Sequence, residues 1–134
     1  MIEKLEVVSY RQGLDSPVVE SFDHPKWQTV AGELSSMHAF EKPILTLSKF
    51  ADIPDGDLMM VHGGGDRFHI QVVDAEATWF QAINPKHSEA MVDVWTSDQG
   101  FTCEERFTWP STIAHLIIKH YFETGRPYSD IDWI

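Results

Sequence analysis

The chain holds a single cysteine, Cys103, in 134 residues. That excludes an intrachain disulfide and any zinc site built from several thiolates. No apolar run approaches the roughly 20 residues of a membrane-spanning helix. The opening stretch MIEKLEVVSY has neither an apolar signal core nor a small-residue cleavage site, so a cytoplasmic protein is expected. Positive charge is scarce: ten Lys and Arg stand against 21 Asp and Glu, a formal net charge of −11. Such a molecule repels phosphate backbones, and direct nucleic-acid binding is not expected. It suits a basic protein partner, because opposite fields speed encounter, although acidity also keeps ordinary proteins dispersed. Repeats, low-complexity tracts and linkers are missing as well, and residues 1–134 read as one domain.

Apolar residues and aromatics are plentiful enough for a folded core, with five tryptophans among them. One stretch raises a chemical question. VHGGGDRFHI (61–70) contains His-Gly-Gly-Gly, a string that resembles the oxyanion-hole loop of lipases and esterases. Those enzymes need a large doubly wound sheet and a Gly-x-Ser-x-Gly elbow. The elbow is absent and the chain is too short for that fold. No helix start and no Lys-Ser/Thr follow the glycines, so a phosphate cradle is poorly supported too. Flanked by the apolar runs LMMVH and RFHIQVVD, Gly63, Gly64, Gly65 and Asp66 read best as hairpin punctuation.

Hydrophobic spacing supplies the remaining elements. IEKLEVV reads as a first strand, and SPVVESFDHP as a connection. In DHPKWQTVAGELSSMHAF, Trp27, Val30, Ala31, Leu34 and Met37 recur at threes and fours, with Pro25 in a first helical turn and Asp23 or His24 as cap. PILTLSKF, ATWFQAI, AMVDVWT and FTCEERFTW read as strands, joined by ADIPDGD, NPKHSE and SDQG. PSTIAHLIIKHYFETG forms a second helix with Ile113, Leu116, Ile117 and Tyr121 inward, closed by Gly125 as a left-handed cap. DIDWI ends as a short strand or extended tail. The expectation is an α+β fold: an antiparallel, meander-like sheet of about six strands with two helices on one face.

Convincing catalytic constellations do not emerge, and no cofactor is implied. His62 lies across the hairpin from His69, but spacing places no third ligand beside them; His115 and His120 fall on different helix faces. Glu104 and Glu105 are adjacent on a strand and point apart. Cys103 alternates in phase with Phe101 and Phe107, as a core thiol does. Partner binding has more candidates. Met91, Asp93 and Trp95 fall on one side of their strand and, with His69, Gln71, Glu104 and Arg106, could make a mixed aromatic and acidic sheet face. The alternative is that this face is covered and its tryptophans are core. The turn carrying Asp52, Asp55 and Asp57 is a second candidate surface, or ordinary turn chemistry.

IAHLIIKHYFETGRPYSDIDWI resembles the carboxyl end of immunity protein family one, the antidotes found beside bacterial polymorphic toxins. Phe122, Thr124, Gly125, Pro127, Asp132 and Trp133 stand at the motif positions. Upstream, HPKWQTVAGEL, VHGGGDRFHIQVV and FQAINP are similar to that family's helix, glycine hairpin and aromatic-Asn-Pro strand end. The second half of FTCEERF is more charged than the family pattern. The resemblance implies a cytosolic, non-catalytic inhibitor that occludes the cleft of a cognate toxin domain, a nucleic-acid deaminase or nuclease, presumed basic. The other readings are an enzyme or small-ligand binder with a pocket between helices and sheet using His62, His69 or Trp79, and a subunit of a larger assembly such as a homodimer.

Overall fold

Alternating residues of β1 (Lys4–Ser9) are fully buried at Leu5 and Val7 and partly open between them, the signature of a strand with one covered face. In a computed structural model that describes residues 2–10, 17–52, 55–95 and 100–134, this strand is followed by β2 (Val18–Asp23), α1 (Trp27–Ser35) and β3 (Ile44–Ser48). Next come β4 (Leu58–Gly64), β5 (Arg67–Val73), β6 (Trp79–Ile83), β7 (Met91–Trp95) and β8 (Phe101–Glu104). The chain ends through β9 (Thr108–Trp109), α2 (Ser111–Thr124) and β10 (Asp132–Trp133).

One antiparallel sheet dominates, in the order β10-β6-β5-β4-β3-β1-β2, with β9 added beside β5. The register places Leu5, Val7, Leu45, Leu47, Met59, Val61, Phe68, Ile70, Val72 and Ala82 on a single face, where they meet Val30 and Leu34 of α1 and Ala114, Ile117, Ile118 and Tyr121 of α2. Both helices therefore cover one face, and the fold is α+β. On the other face lies a separate two-stranded ribbon, β7–β8, with a small core of Val94, Cys103 and Phe107 backed by Ile83 and Phe101.

Several sequence expectations change. Among the described residues the main antiparallel sheet holds eight strands rather than about six, and two more form the separate ribbon. SPVVESFDHP contains β2, an edge strand whose side chains are mostly exposed, so it leaves no burial rhythm to read. FTCEERFTW is not one strand: a single 3-10 turn, Glu105–Phe107, passes the chain from the ribbon to β9 on the main sheet. Thr108 Oγ1 donates to the Glu105 carbonyl at 2.7 Å and fixes that crossing. The cap of α1 is Lys26, with no side-chain bond, so Asp23 and His24 do not cap it. The buried stripe of α2 is Ala114, Ile117, Ile118 and Tyr121; Ile113 and Leu116 face outward, with Leu116 50% exposed. The apolar spacing of that helix fits two stripes, and the one containing small Ala114 lets the helix approach the sheet closely. Gly125 does close the helix at φ 70°, its N–H donating to the Tyr121 carbonyl at 2.7 Å.

Candidate functional site

The Gly65–Asp66 turn sets β4 against β5 so that Gly64 pairs with Arg67 and Leu58 with Val73. One step beyond, Asp57 must meet Asp74. Its N–H donates to the Asp74 carbonyl at 3.2 Å, and a Cβ on Gly56 would lie 2.2 Å from that same carbonyl oxygen. The loop carrying Asp52, Asp55 and Asp57 is thereby pressed against the turn carrying Asp74 and Glu76. Asp74 Oδ1 accepts from the backbone N–H groups of Glu76 and Thr78 at 2.9 and 3.0 Å, which holds the second turn in shape. Asp57 takes Lys49 as partner at 3.3 Å; Asp52, Asp55 and Glu76 are exposed. Phe50 and Trp79 stand at this same end of the sheet, each 52% exposed. The result is an acidic end with two open aromatic side chains. Sequence reading found the three loop aspartates and missed Asp74, Glu76 and Phe50. The hairpin register would have supplied Asp74, since 57 and 74 are the next pair after 58 and 73.

The second expected face is taken apart by the fold. Met91 (64% exposed) and Asp93 remain on the outside of the ribbon, opposite Glu104 and Thr102. Glu104 is partly buried and paired with Arg106, which also reaches Glu89. Trp95 does not join them. A bulge between Asp93 and Trp95 breaks the alternation and turns both Val94 and Trp95 inward. His69 is likewise buried in β5, directly below the ribbon. Neither His69 nor Trp95 belongs to an exposed face; the covered alternative holds, with a ribbon rather than a helix as the cover.

Beneath the ribbon is a knot of rings. His62 and His69 are register partners with ring centres 6.0 Å apart. Phe101 packs 5.2 Å from His62 and 4.9 Å from His69, Trp95 stacks on His62 at 6.4 Å, and Tyr10 meets Trp95 at 5.5 Å. His69 Nε2 donates to Gln81 Oε1 at 2.8 Å. His62 Nδ1, His69 Nδ1 and Trp95 Nε1 are buried with no hydrogen-bond partner among the described residues. Burial, helped by the neighbouring His69, lowers the His62 pKa to about 4, and burial also lowers that of His69 despite the Gln81 bond. Burial raises the Cys103 thiol to about 11, an inert state. Among the described residues, no group of three or more His, Cys, Asp or Glu is placed to hold a metal.

The space between helices and sheet, where a ligand pocket was one expectation, is filled by the main core. His62 and His69 face away from it, and Trp79 is on the surface. Among the described residues, shallow depressions lie elsewhere, such as one lined by His120, Thr124, Arg126, Pro127 and Ser129 and another by Ile2, His24, Pro25, Phe122 and Glu123.

The chain matches no family model, no curated protein and no solved structure. The carboxyl-terminal motif residues have visible structural tasks. Phe122 packs on Trp27 at 5.6 Å, Thr124 Oγ1 accepts from the Arg126 N–H at 3.1 Å, and Trp133 Nε1 donates to the Tyr128 carbonyl at 2.9 Å while β10 pairs with β6. No helix is long and apolar enough to cross a membrane among the described residues.

Proposed function

We propose that this chain is an immunity protein: a non-enzymatic, cytoplasmic inhibitor that binds a basic bacterial toxin domain, a nucleic-acid deaminase or nuclease, and occludes its active-site cleft. The observation that carries this reading is the acidic end of the sheet, where the loop of Asp52, Asp55 and Asp57 lies against the turn of Asp74 and Glu76, with Lys49 paired to Asp57, beside exposed Phe50 and Trp79. A cleft that grips nucleic acid carries positive charge, and a carboxylate-lined surface competes for it; the aromatics add desolvated contact that charge alone lacks. Met91 and Asp93 on the ribbon form a second, less charged candidate contact.

Cells expressing the neighbouring toxin domain test it. Co-expression of the native chain is expected to restore growth. Trp79→Ala should weaken toxin binding by about 30-fold or more, the scale of an interface hot spot, and Asp52→Asn with Asp55→Asn should slow association. Full protection by a folded triple variant would remove this surface from the account. Failure of the native chain to protect would remove the immunity reading itself.

A further inference from the structure

Among the described residues, the backbone hydrogen bonds that tie the β7–β8 ribbon to its flanking segments gather at one end. At its root the Asn84 N–H donates to the Arg106 carbonyl at 2.6 Å, the Arg106 N–H to Ser88 at 2.9 Å, and the Glu105 N–H to Ala90 at 2.8 Å. The Glu105 carboxylate adds the Ser88 N–H at 3.2 Å and its hydroxyl at 3.3 Å. The opposite end, Trp95 and Phe101, rests on the two imidazole rings. The polar tie described there is Arg67 Nη1 donating to the Asp93 carbonyl at 3.0 Å. A rooted ribbon with its far end laid on two titratable rings has the form of a lever.

We propose that the ribbon is an acid-opened flap over the His62–His69 pair, lifting about its root when either ring takes a proton. The surroundings give that proton nothing to pair with. Ile44 flanks His62 on β3, Gln81 bonds His69 from β6, and Thr108 stands beside His69 on β9. From above come the rings of Trp95, Phe101 and Tyr10. The ionisable neighbours are the Tyr10 phenol, the protonated Cys103 thiol, the Arg67 guanidinium before His69 on β5, and Glu104, already paired with Arg106. No carboxylate is paired with either ring among the described residues, and the neighbouring imidazole opposes a new positive charge on His62. The three unpartnered nitrogens already cost free energy in the closed state, and opening lets water reach all of them. Lowered basicity of both rings follows from the same enclosure.

Hydrogen exchange on the full-length native chain, read as protection factors from pH 7 to pH 4.5, tests the flap. Amides of residues 91–95 and 101–104 should lose at least tenfold in protection relative to β3 and β4 as pH falls. His62→Phe keeps a ring for Phe101 and Trp95 to pack against and cannot be protonated, so it should reduce that loss. Adding His69→Gln, which retains an amide donor for Gln81, should flatten it. Loss of protection in β3, β4 and the ribbon together, or an unchanged ribbon response in His62→Phe, overturns the proposal.

Discussion

Each of the three consecutive glycines should respond differently to alanine, because each meets a different obstacle. A Cβ on Gly63 would sit 2.2 Å from the Arg67 carbonyl oxygen, more than an ångström inside ordinary contact, at φ 113°. On Gly64 it would sit 2.5 Å from the Met37 carbonyl oxygen and 2.7 Å from His38 Cα. Both obstacles are backbone, so no rotamer change relieves them. Gly65 has nothing within 4 Å and only its φ of 64° to accommodate. Alanine in the left-handed region costs about 1 kcal/mol. The φ of Gly63 lies outside the regions favoured by L-residues, adding about 1–3 kcal/mol of strain, and relieving either clash separates strand or loop hydrogen bonds at about 1 kcal/mol each. Gly63→Ala and Gly64→Ala should therefore lose about 3 kcal/mol or more, and Gly65→Ala about 1. Urea unfolding followed by tryptophan fluorescence measures all three. Equal losses at the three positions, within about 0.5 kcal/mol, would refute the assignment of Gly63 and Gly64 to close backbone approach and leave only a permissive turn.

The rotated stripe of α2 predicts that Ile117→Ala costs about 2–5 kcal/mol, while exposed Leu116→Ala stays near 0.5 kcal/mol; denaturant midpoints at unchanged slope read the difference. Because His62 is less basic under the closed ribbon than in an open state, the open state binds its proton more tightly. Ribbon closure should be complete above pH 6.5 and weaken towards pH 4, by about 3 kcal/mol in all, a weakening that His62→Phe should reduce, with the thermal midpoint of the main core changing much less. Cys103, held near 11, should resist alkylation at pH 8 in the native state and react promptly in urea.

What the sequence reveals depends on where burial is one-sided. β1 and the β4–β5 hairpin alternate between a covered face and a freer one, and their residues declare themselves. The pairing of His62 with His69 needs the turn to be Gly65 and Asp66 alone, two of the four residues that read as punctuation. Trp95 does not: a bulge adds one residue to one strand, and nothing in MVDVWT marks where alternation stops. β2 is concealed for the opposite reason, since an edge strand buries too little to impose a pattern. The acidic end was half legible. Three of its carboxylates share one loop, while Asp74 and Glu76 join only through the register, and the exposure of Phe50 and Trp79 is set by tertiary packing.

The most direct test of the inhibitor reading is titration calorimetry of the full chain with the toxin domain encoded beside its gene, at low and at high salt. The account predicts one-to-one binding that weakens as salt rises, and that weakens again in Trp79→Ala and in Asp52→Asn with Asp55→Asn. No heat of binding from a folded chain, or tight binding indifferent to salt and to those substitutions, would contradict it.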